Sequence, residues 1–357
     1  MEYKGKQLYE ELPYHANSLR AEYRDSVDRY LEQLKNEDNA ARRARFSSES
    51  FPAQQESLRQ EFIAMLGKPL TEYETYSKTV PSVTQTRIGC DEMAEIFRIQ
   101  LEVMPGFFSY GLLFVPHEAI QPKMPLVIFQ HGGGGTPELC SDIYGPNNYN
   151  RGLHRVLERG VAVFAPQLLL WNTAAAKETM PSYPVPFDRY QVDSHLKHCG
   201  SSITALEIFC IRRAIDYLST LDFLDSSRIG MHGLSYGGFF TLYTTAAEPR
   251  ICSAYSVASF NDRNCAGCLD WYWFQSSQKF HDAEVAALCA PRQLYLEVGV
   301  KDPVFPWEPA TNESKHALRY YESFGAAEHI RFNAWDGAHT VSDTDEGYDF
   351  FFAPLIP

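Results

Sequence analysis

Several features are scarce or missing in this sequence, and each absence excludes a class of protein. No apolar stretch is long enough to span a bilayer, and the first fifteen residues, MEYKGKQLYEELPYH, lack the apolar core of a signal peptide. Lysine and arginine number 32 against 45 acidic residues, and a formal net charge of −13 does not suit nucleic-acid phosphates. We therefore expect a cytoplasmic protein that binds neither nucleic acid nor membrane.

Cysteine is present but forms no dense framework. Of the eight cysteines, Cys210, Cys252 and Cys289 lie in apolar runs, a pattern typical of buried reduced thiols. Cys265 and Cys268 make a single C-x-x-C, and no second pair or histidine stands at zinc spacing. We therefore expect no metal and no cofactor.

The 357 residues, 45% of them hydrophobic, suffice for a large core, and their periodicity changes near residue 84. Residues 1–83 have helical spacing, as in Tyr23, Val27, Tyr30 and Leu34, and predict an N-terminal helical extension. Residues 84–357 predict a catalytic domain in which strands come to alternate with helices.

The alternation predicts an α/β fold with a mostly parallel, mixed sheet and helices on both faces. Predicted strands are 84–90, 94–103, 107–115, 126–129, 161–164, 228–232, 252–258, 293–300 and 329–335. Predicted helices are 149–159, 203–220, 236–247, 312–324 and 344–353. Two long segments, 166–200 and 260–288, are predicted to be loops rich in aromatic residues.

The motif G-L-S-Y-G at 233–237 lies between a predicted strand and a predicted helix. In a G-x-S-x-G turn of this kind, the strained backbone exposes the serine hydroxyl above the sheet, and glycines avoid clashes beside it. The helix N-terminus favours negative charge that develops there. We therefore predict that Ser235 is a nucleophile; the alternative is a glycine-rich turn with a capping serine.

A serine nucleophile needs a base and an acid that orients the base, and both follow Ser235 in the sequence. Asp302 comes just after strand 293–300, and His339 comes after the last strand, at the same predicted edge of the sheet. We predict that His339 is the base and Asp302 the acid. The competing residues are Asp336, His281, His316 and His329.

The run H-G-G-G-G at 131–135 follows strand 126–129 and is suited to an oxyanion hole, because glycine N–H groups are unobstructed by side chains. We predict oxyanion donors in the backbone N–H of Tyr236 and of Gly133, with Gly134 as the alternative to Gly133. The lack of a following G-K-[ST] argues against a phosphate loop. His131 is expected to be structural.

Aromatic residues in the two long loops are candidates for the substrate pocket. Trp171 lies in the first loop, and Trp271 and Trp273 lie in the second. Their rings could stack on a sugar or line an acyl pocket, and the alternative is that they fill a small core beneath the loops.

From residue 84 to the C-terminus the chain resembles the α/β-hydrolase superfamily, and within it the dienelactone hydrolase-like and acetyl xylan esterase-like branch. The resemblance lies in D-S-S-R-I-G-M-H-G-L-S-Y-G-G at 225–238, A-P-R-Q at 290–293 and K-D-P-V-F-P at 301–306. It implies the same roles for Ser235, Asp302 and His339. Dienelactone hydrolases use cysteine where this chain has serine, so that narrow activity is not expected.

These features predict a serine esterase that cleaves short-acyl esters, such as acetyl esters of carbohydrates, through an acyl-enzyme. Two other readings remain open. One is a serine peptidase of the prolyl oligopeptidase type, although those enzymes usually carry a propeller domain ahead of the catalytic one. The other is a binding protein that keeps the fold without catalysis.

Overall fold

The structure is a computed structural model that describes residues 11–47, 49–143, 145–169 and 188–356. The chain divides into two compact units, Met1–Arg45 and Phe46–Pro357. In the first unit, helix α1 spans Pro13–Arg45. The second unit contains the sheet and also helix α2, Phe51–Leu66, which lies within the predicted N-terminal extension. The predicted domain boundary at residues 83 and 84 stays a prediction.

A mixed sheet forms the centre of the second unit. Its strands are β1 (Ser82–Cys90), β2 (Ala94–Met104), β3 (Phe107–Pro116), β4 (Met124–Gln130), β5 (Ala162–Pro166), β6 (Leu224–Leu234), β7 (Ile251–Val257), β8 (Gln293–Gly299) and β9 (Ile330–Trp335). The spatial order is β1-β2-β3-β5-β4-β6-β7-β8-β9. Pairing is antiparallel from β1 to β5 and parallel from β5 to β9, as the sequence predicted.

Helices cover both faces of this sheet. Besides α1 and α2, the described residues form the α-helices α3 (Tyr73–Tyr76), α4 (Pro137–Cys140), α5 (Gly152–Leu157), α6 (Arg189–His198), α7 (Ile203–Leu218), α8 (Tyr236–Ala247), α9 (Ser276–Lys279), α10 (Asp282–Cys289), α11 (Trp307–Ser323) and α12 (Glu346–Phe352). One core cluster contains apolar residues of α2, α7, α8, α10 and α11, and the other contains those of α5 and α12. Among the described residues, no helix combines the length and the apolar character needed to cross a membrane.

The bounds of two helices differ from the predictions for local reasons. Helix α5 begins later than predicted, at Gly152. Asn150 and Arg151 have φ of 50° and 57°, outside the right-handed helical region, so neither can belong to the helix. Helix α11 begins earlier than predicted, at Trp307, because a proline such as Pro309 is tolerated in the first turn. The predictions of loops over 166–200 and 260–288 were wrong in part, since the first segment contains α6 and the second contains α9 and most of α10.

The parallel strands bring the predicted site loops to one edge of the sheet. Gln130 at the end of β4 pairs with Gly233 near the end of β6, so the glycine run starts beside the G-x-S-x-G turn. At the other side of the sheet, Gly299 at the end of β8 pairs with Trp335 at the end of β9. The carboxyl ends of these strands therefore gather the chain segments that follow them.

Candidate active site

Ser235 lies on a strained turn between β6 and α8. Its φ of 62° and ψ of −120° fall in a region that costs a non-glycine residue about 1–3 kcal/mol. Its N–H donates to the carbonyl of Val257 at 2.8 Å. A Cβ on Gly237 would lie 2.1 Å from the carbonyl oxygen of Gln130, so a larger residue cannot occupy that position. From residue 229 to residue 248, every residue except Ser235 is buried.

The glycine run follows β4 and packs against this turn. A Cβ on Gly132 would lie 2.8 Å from the carbonyl oxygen of Leu234, which explains why glycine stands there. The N–H of Gly132 donates to the hydroxyl of Tyr149, and the N–H of Gly135 donates to the carbonyl of Gly132 at 3.1 Å. Gly133 is exposed and Gly134 is half-buried, between these two engaged N–H groups.

His131 is buried, and both ring nitrogens are engaged. Its Nδ1–H donates to the carbonyl of Gly132 at 2.9 Å, and its Nε2 accepts from the N–H of Leu168 at 3.0 Å. Burial lowers the pKa of His131 to about 4, so the imidazole is neutral at neutral pH. This environment agrees with the structural role expected from the sequence.

Asp302 and His339 meet at the carboxyl ends of β8 and β9. Nδ1 of His339 lies 2.8 Å from Oδ2 of Asp302. Oδ1 of Asp302 accepts from the N–H groups of Val304 at 2.8 Å and Phe305 at 3.1 Å. Burial alone would raise the pKa of Asp302, but these hydrogen bonds, with the one from His339 foremost, lower it below the usual 3.8. Because Nδ1 faces a carboxylate, the imidazole proton is assigned to Nδ1. The lone pair on Nε2 can then accept a proton.

The residues that competed with this pair in the sequence lie in other surroundings. Asp336 is exposed and forms an ion pair with Lys301 at 2.6 Å. His281 is buried, with Nδ1 3.3 Å from Asp262. His329 precedes β9 and therefore lies at the opposite end of that strand from His339, while His316 lies within α11.

The predicted pocket tryptophans are buried or outside the described residues. Trp171 falls in the segment 170–187, which lies outside them. Trp271 is 1% exposed and stacks on Phe239, with ring centres 4.2 Å apart and planes 3° apart. Trp273 is 8% exposed. Trp271 also stacks on Phe305, whose ring in turn stacks on the His339 imidazole at 5.9 Å. A substrate contact of these tryptophans stays a prediction.

Two positions that the sequence did not single out hold the segment that carries His339. The carbonyl of Asn148 accepts from the N–H of Val341 at 3.1 Å, and its side-chain amide donates to the carbonyl of His339 at 3.2 Å. Glu297 accepts from the N–H of Ser342 at 2.9 Å. The one sequence signal for Glu297 is an acidic residue inside an apolar strand; Asn148 has none beyond its place in a polar loop.

Comparisons with known proteins were made on sequence and on structure. The chain is 25% identical to "Putative hydrolase YtaP" of Bacillus subtilis over 232 residues, which are 61% of this chain and 74% of that protein. It is 27% identical to human and mouse dipeptidyl peptidase 8 over 154 residues, 42% of this chain but only 14% of those proteins. No protein-family model matches the chain.

Among solved structures, methylesterase BT1017 has a TM-score of 0.66 at 18% identity, covering 90% of this chain and 68% of that one. Acetyl xylan esterase 1 of Thermoanaerobacterium has a TM-score of 0.56 at 14% identity, covering 84% and 98%. The chain has the α/β-hydrolase fold, as its resemblance to that superfamily predicted. The comparisons agree with the predicted enzyme class, a hydrolase.

Proposed function

We propose that this protein is a serine esterase in which Ser235 is the nucleophile, His339 the general base and Asp302 the acid that orients His339. The observation that carries the proposal is the 2.8 Å contact between His339 and the buried side chain of Asp302, at the sheet edge where Ser235 occupies its strained turn. A histidine held through Nδ1 has the tautomer that accepts a proton at Nε2.

The reaction proceeds in two halves. Ser235 Oγ attacks the ester carbonyl carbon while His339 Nε2 takes the hydroxyl proton, and the oxyanion is stabilised by the N–H groups of Tyr236 and Gly133, with Gly134 as the alternative. His339 then protonates the leaving alcohol, and an acyl-enzyme remains on Ser235. Water gives a proton to His339 and attacks the acyl carbon. As the bond between Ser235 Oγ and the acyl carbon breaks, His339 returns this proton to Oγ, and the carboxylic acid leaves.

The proposed substrate class is short-acyl esters, with acetylated carbohydrates the first group to test. The names of the similar structures support it, because an acetyl xylan esterase acts on an acylated sugar. A methylesterase instead hydrolyses a methyl ester to an acid and methanol. A panel that contains acetylated xylo-oligosaccharides and methyl esters of uronic acids shows whether the sugar supplies the alcohol or the acid of the ester.

A second candidate function is a serine peptidase, which the similarity to dipeptidyl peptidase 8 favours. Both candidates need the same nucleophile, so the leaving group distinguishes them. We expect p-nitrophenyl acetate to be turned over and aminoacyl p-nitroanilides to be poor substrates. Amide turnover comparable to ester turnover would favour the peptidase.

The nucleophile is tested by comparing Ser235→Ala with Ser226→Ala. Ser226 lies on the same strand, is exposed and stands at the end opposite the turn, so its variant is a matched control. We expect kcat with p-nitrophenyl acetate to fall by a factor on the order of 10³ or more in Ser235→Ala. Wild-type turnover in that variant would remove Ser235 from the mechanism.

A further inference from the structure

Tyr236 follows the nucleophile, and its side chain is anchored in the protein interior. The residue is 4% exposed, and its hydroxyl donates to Oδ1 of Asp270 at 2.9 Å. The backbone N–H of this same residue is one of the two proposed oxyanion donors. The side-chain anchor therefore fixes a residue whose backbone must point at the reacting carbonyl oxygen.

Asp270 belongs to a buried group of three charges. Its Oδ2 accepts from Nε of Arg189 at 2.8 Å. Arg189 also donates two parallel hydrogen bonds to Glu207, at 2.9 and 2.8 Å. All three side chains are buried, and the paired geometry of arginine with a carboxylate fixes orientation as well as distance.

The same group reaches the glycine run by way of two backbone residues. The N–H of Leu169 donates to Glu207 Oε1 at 2.6 Å, and the carbonyl of Leu169 accepts from Arg189. The neighbouring Leu168 donates its N–H to Nε2 of His131, whose Nδ1 bonds to Gly132. Two series of hydrogen bonds, joined by the backbone between Leu168 and Leu169, thus connect the side chain of Tyr236 to the segment that carries Gly133 and Gly134.

We propose that Arg189, Glu207 and Asp270 are positioning residues. They fix the backbone segment that carries Tyr236 relative to the glycine run, so that the N–H groups of both segments point at the same oxyanion. The inference rests on the proposed function, since it concerns donors for the anion formed in ester cleavage. Buried charges are costly to desolvate, and a buried ion pair often adds little to stability over apolar residues of equal volume. Fixed donor geometry acts on the transition state more than on the bound ester, so the effect falls on kcat rather than on KM.

The test compares Tyr236→Phe with Tyr243→Phe. Both tyrosines are buried on α8, and Tyr243 donates to Oδ1 of Asp282 at 3.1 Å, where Asp282 is held by Arg263 at 2.8 Å. Each variant keeps its ring and its backbone N–H and loses one hydroxyl bonded to an aspartate. We expect both variants to lose stability by similar amounts, because both leave a buried carboxylate short of a donor.

Only Tyr236→Phe is expected to change the reaction. For p-nitrophenyl acetate, kcat should fall roughly tenfold with KM within about twofold, less than the 10²–10³ of a lost donor. The affinity for a boronic acid, which forms a tetrahedral anion with a serine, should weaken in step with kcat/KM. Tyr243→Phe should stay within about twofold of wild type in all three quantities. Glu207→Gln provides a second variant of the network and should change the same quantities in the same direction.

The proposal is overturned if Tyr236→Phe and Glu207→Gln keep wild-type kcat and boronate affinity. It is also overturned if Tyr243→Phe loses as much kcat as Tyr236→Phe, since the effect would then come from stability. Failure of the esterase proposal gives a different result, namely turnover that is indifferent to Ser235→Ala.

Discussion

Helix α8 supplies one tyrosine to each of two buried networks. Each network consists of a tyrosine, an aspartate and an arginine, and the two lie toward opposite ends of the helix. Tyr236, in the first turn, bonds to Asp270, which is held by Arg189. Tyr243, two turns later, bonds to Asp282, which is held by Arg263. The first network continues through Glu207 toward the glycine run.

The second network joins the start of α10 to the segment that follows β7. Asp282 also accepts from the N–H of Asn261, and Arg263 donates to the carbonyl of Ala266. The residue types in a buried network therefore do not reveal its role. The role depends on which backbone segments the network joins, and within the described residues only the first network joins segments that carry Ser235 and Gly133.

The prediction with the greatest effect concerns Asp302, the proposed orienting acid, which lies outside both networks. In Asp302→Asn the amide can no longer hold His339 in the required tautomer, and we expect kcat to fall by a factor on the order of 10³–10⁴. Ester turnover at neutral pH measures it. Asp336→Asn is the matched control, because Asp336 is exposed and paired with Lys301, and it should keep its activity. The reverse result would assign the acid to Asp336.

The second network is expected to matter for stability and not for turnover. In Asp282→Ala the buried Arg263 loses two hydrogen bonds to its carboxylate, and we expect the free energy of unfolding to fall by about 3–5 kcal/mol. Urea unfolding measures this loss. At a temperature where the variant remains folded, kcat should stay within about twofold of wild type. A loss of kcat like that of Tyr236→Phe would remove the difference between the networks.

Unlike Asp270 and Asp282, the buried acid Glu297 has no hydrogen bond to an arginine within the described part of the chain. It accepts from the hydroxyl of Tyr255 and from the N–H of Ser342. Burial raises the pKa of Glu297 from 4.5 to about 7. Between these values the folded chain keeps a proton that the unfolded chain releases. The stability due to this proton is therefore present below about pH 4.5 and is lost as the pH rises through 7.

In Glu297→Gln this pH dependence should disappear. From pH 5 to pH 8 the free energy of unfolding of wild type should fall by about 2–3 kcal/mol relative to the variant, as urea unfolding at both values measures. Glu248→Gln is the control of opposite sign. Burial acts to raise the pKa of Glu248, but hydrogen bonds and charges of Arg250 and Arg212 lower it, so its stability is lost as the pH falls. An unchanged difference between wild type and Glu297→Gln would contradict this account.

The sequence predicted the sheet and the contact between Asp302 and His339 because both depend on local patterns. Helix α8 has the predicted bounds, 236–247. Strand β9 was predicted over 329–335 and begins one residue later, at Ile330. His339 and Asp302 were predictable as partners because each follows a parallel strand, and such strands end at one edge of a sheet. Glycines at 233 and 237 signalled the strained turn through their spacing.

The network around Tyr236 was not predictable from the sequence. Arg189, Glu207 and Asp270 are separated by tens of residues, and their contact depends on how α6, α7 and the segment before α9 pack. Glu207 gave a weak signal, as an acid within the apolar run I-T-A-L-E-I-F at 203–209. Such a residue more often lies at a solvated face, and the sequence does not say which buried partner it meets.

The most direct test of the central claim is covalent labelling with a fluorophosphonate, which forms a stable phosphonyl ester with an activated serine hydroxyl. Peptide mapping by mass spectrometry locates the adduct while ester turnover is followed in the same sample. We expect one adduct per chain, on Ser235, and a loss of turnover in proportion to labelling. Ser235→Ala should form no adduct, and its residual turnover should not change with the reagent. Full turnover after complete labelling of Ser235, or equal labelling of Ser235→Ala at another residue, would contradict it.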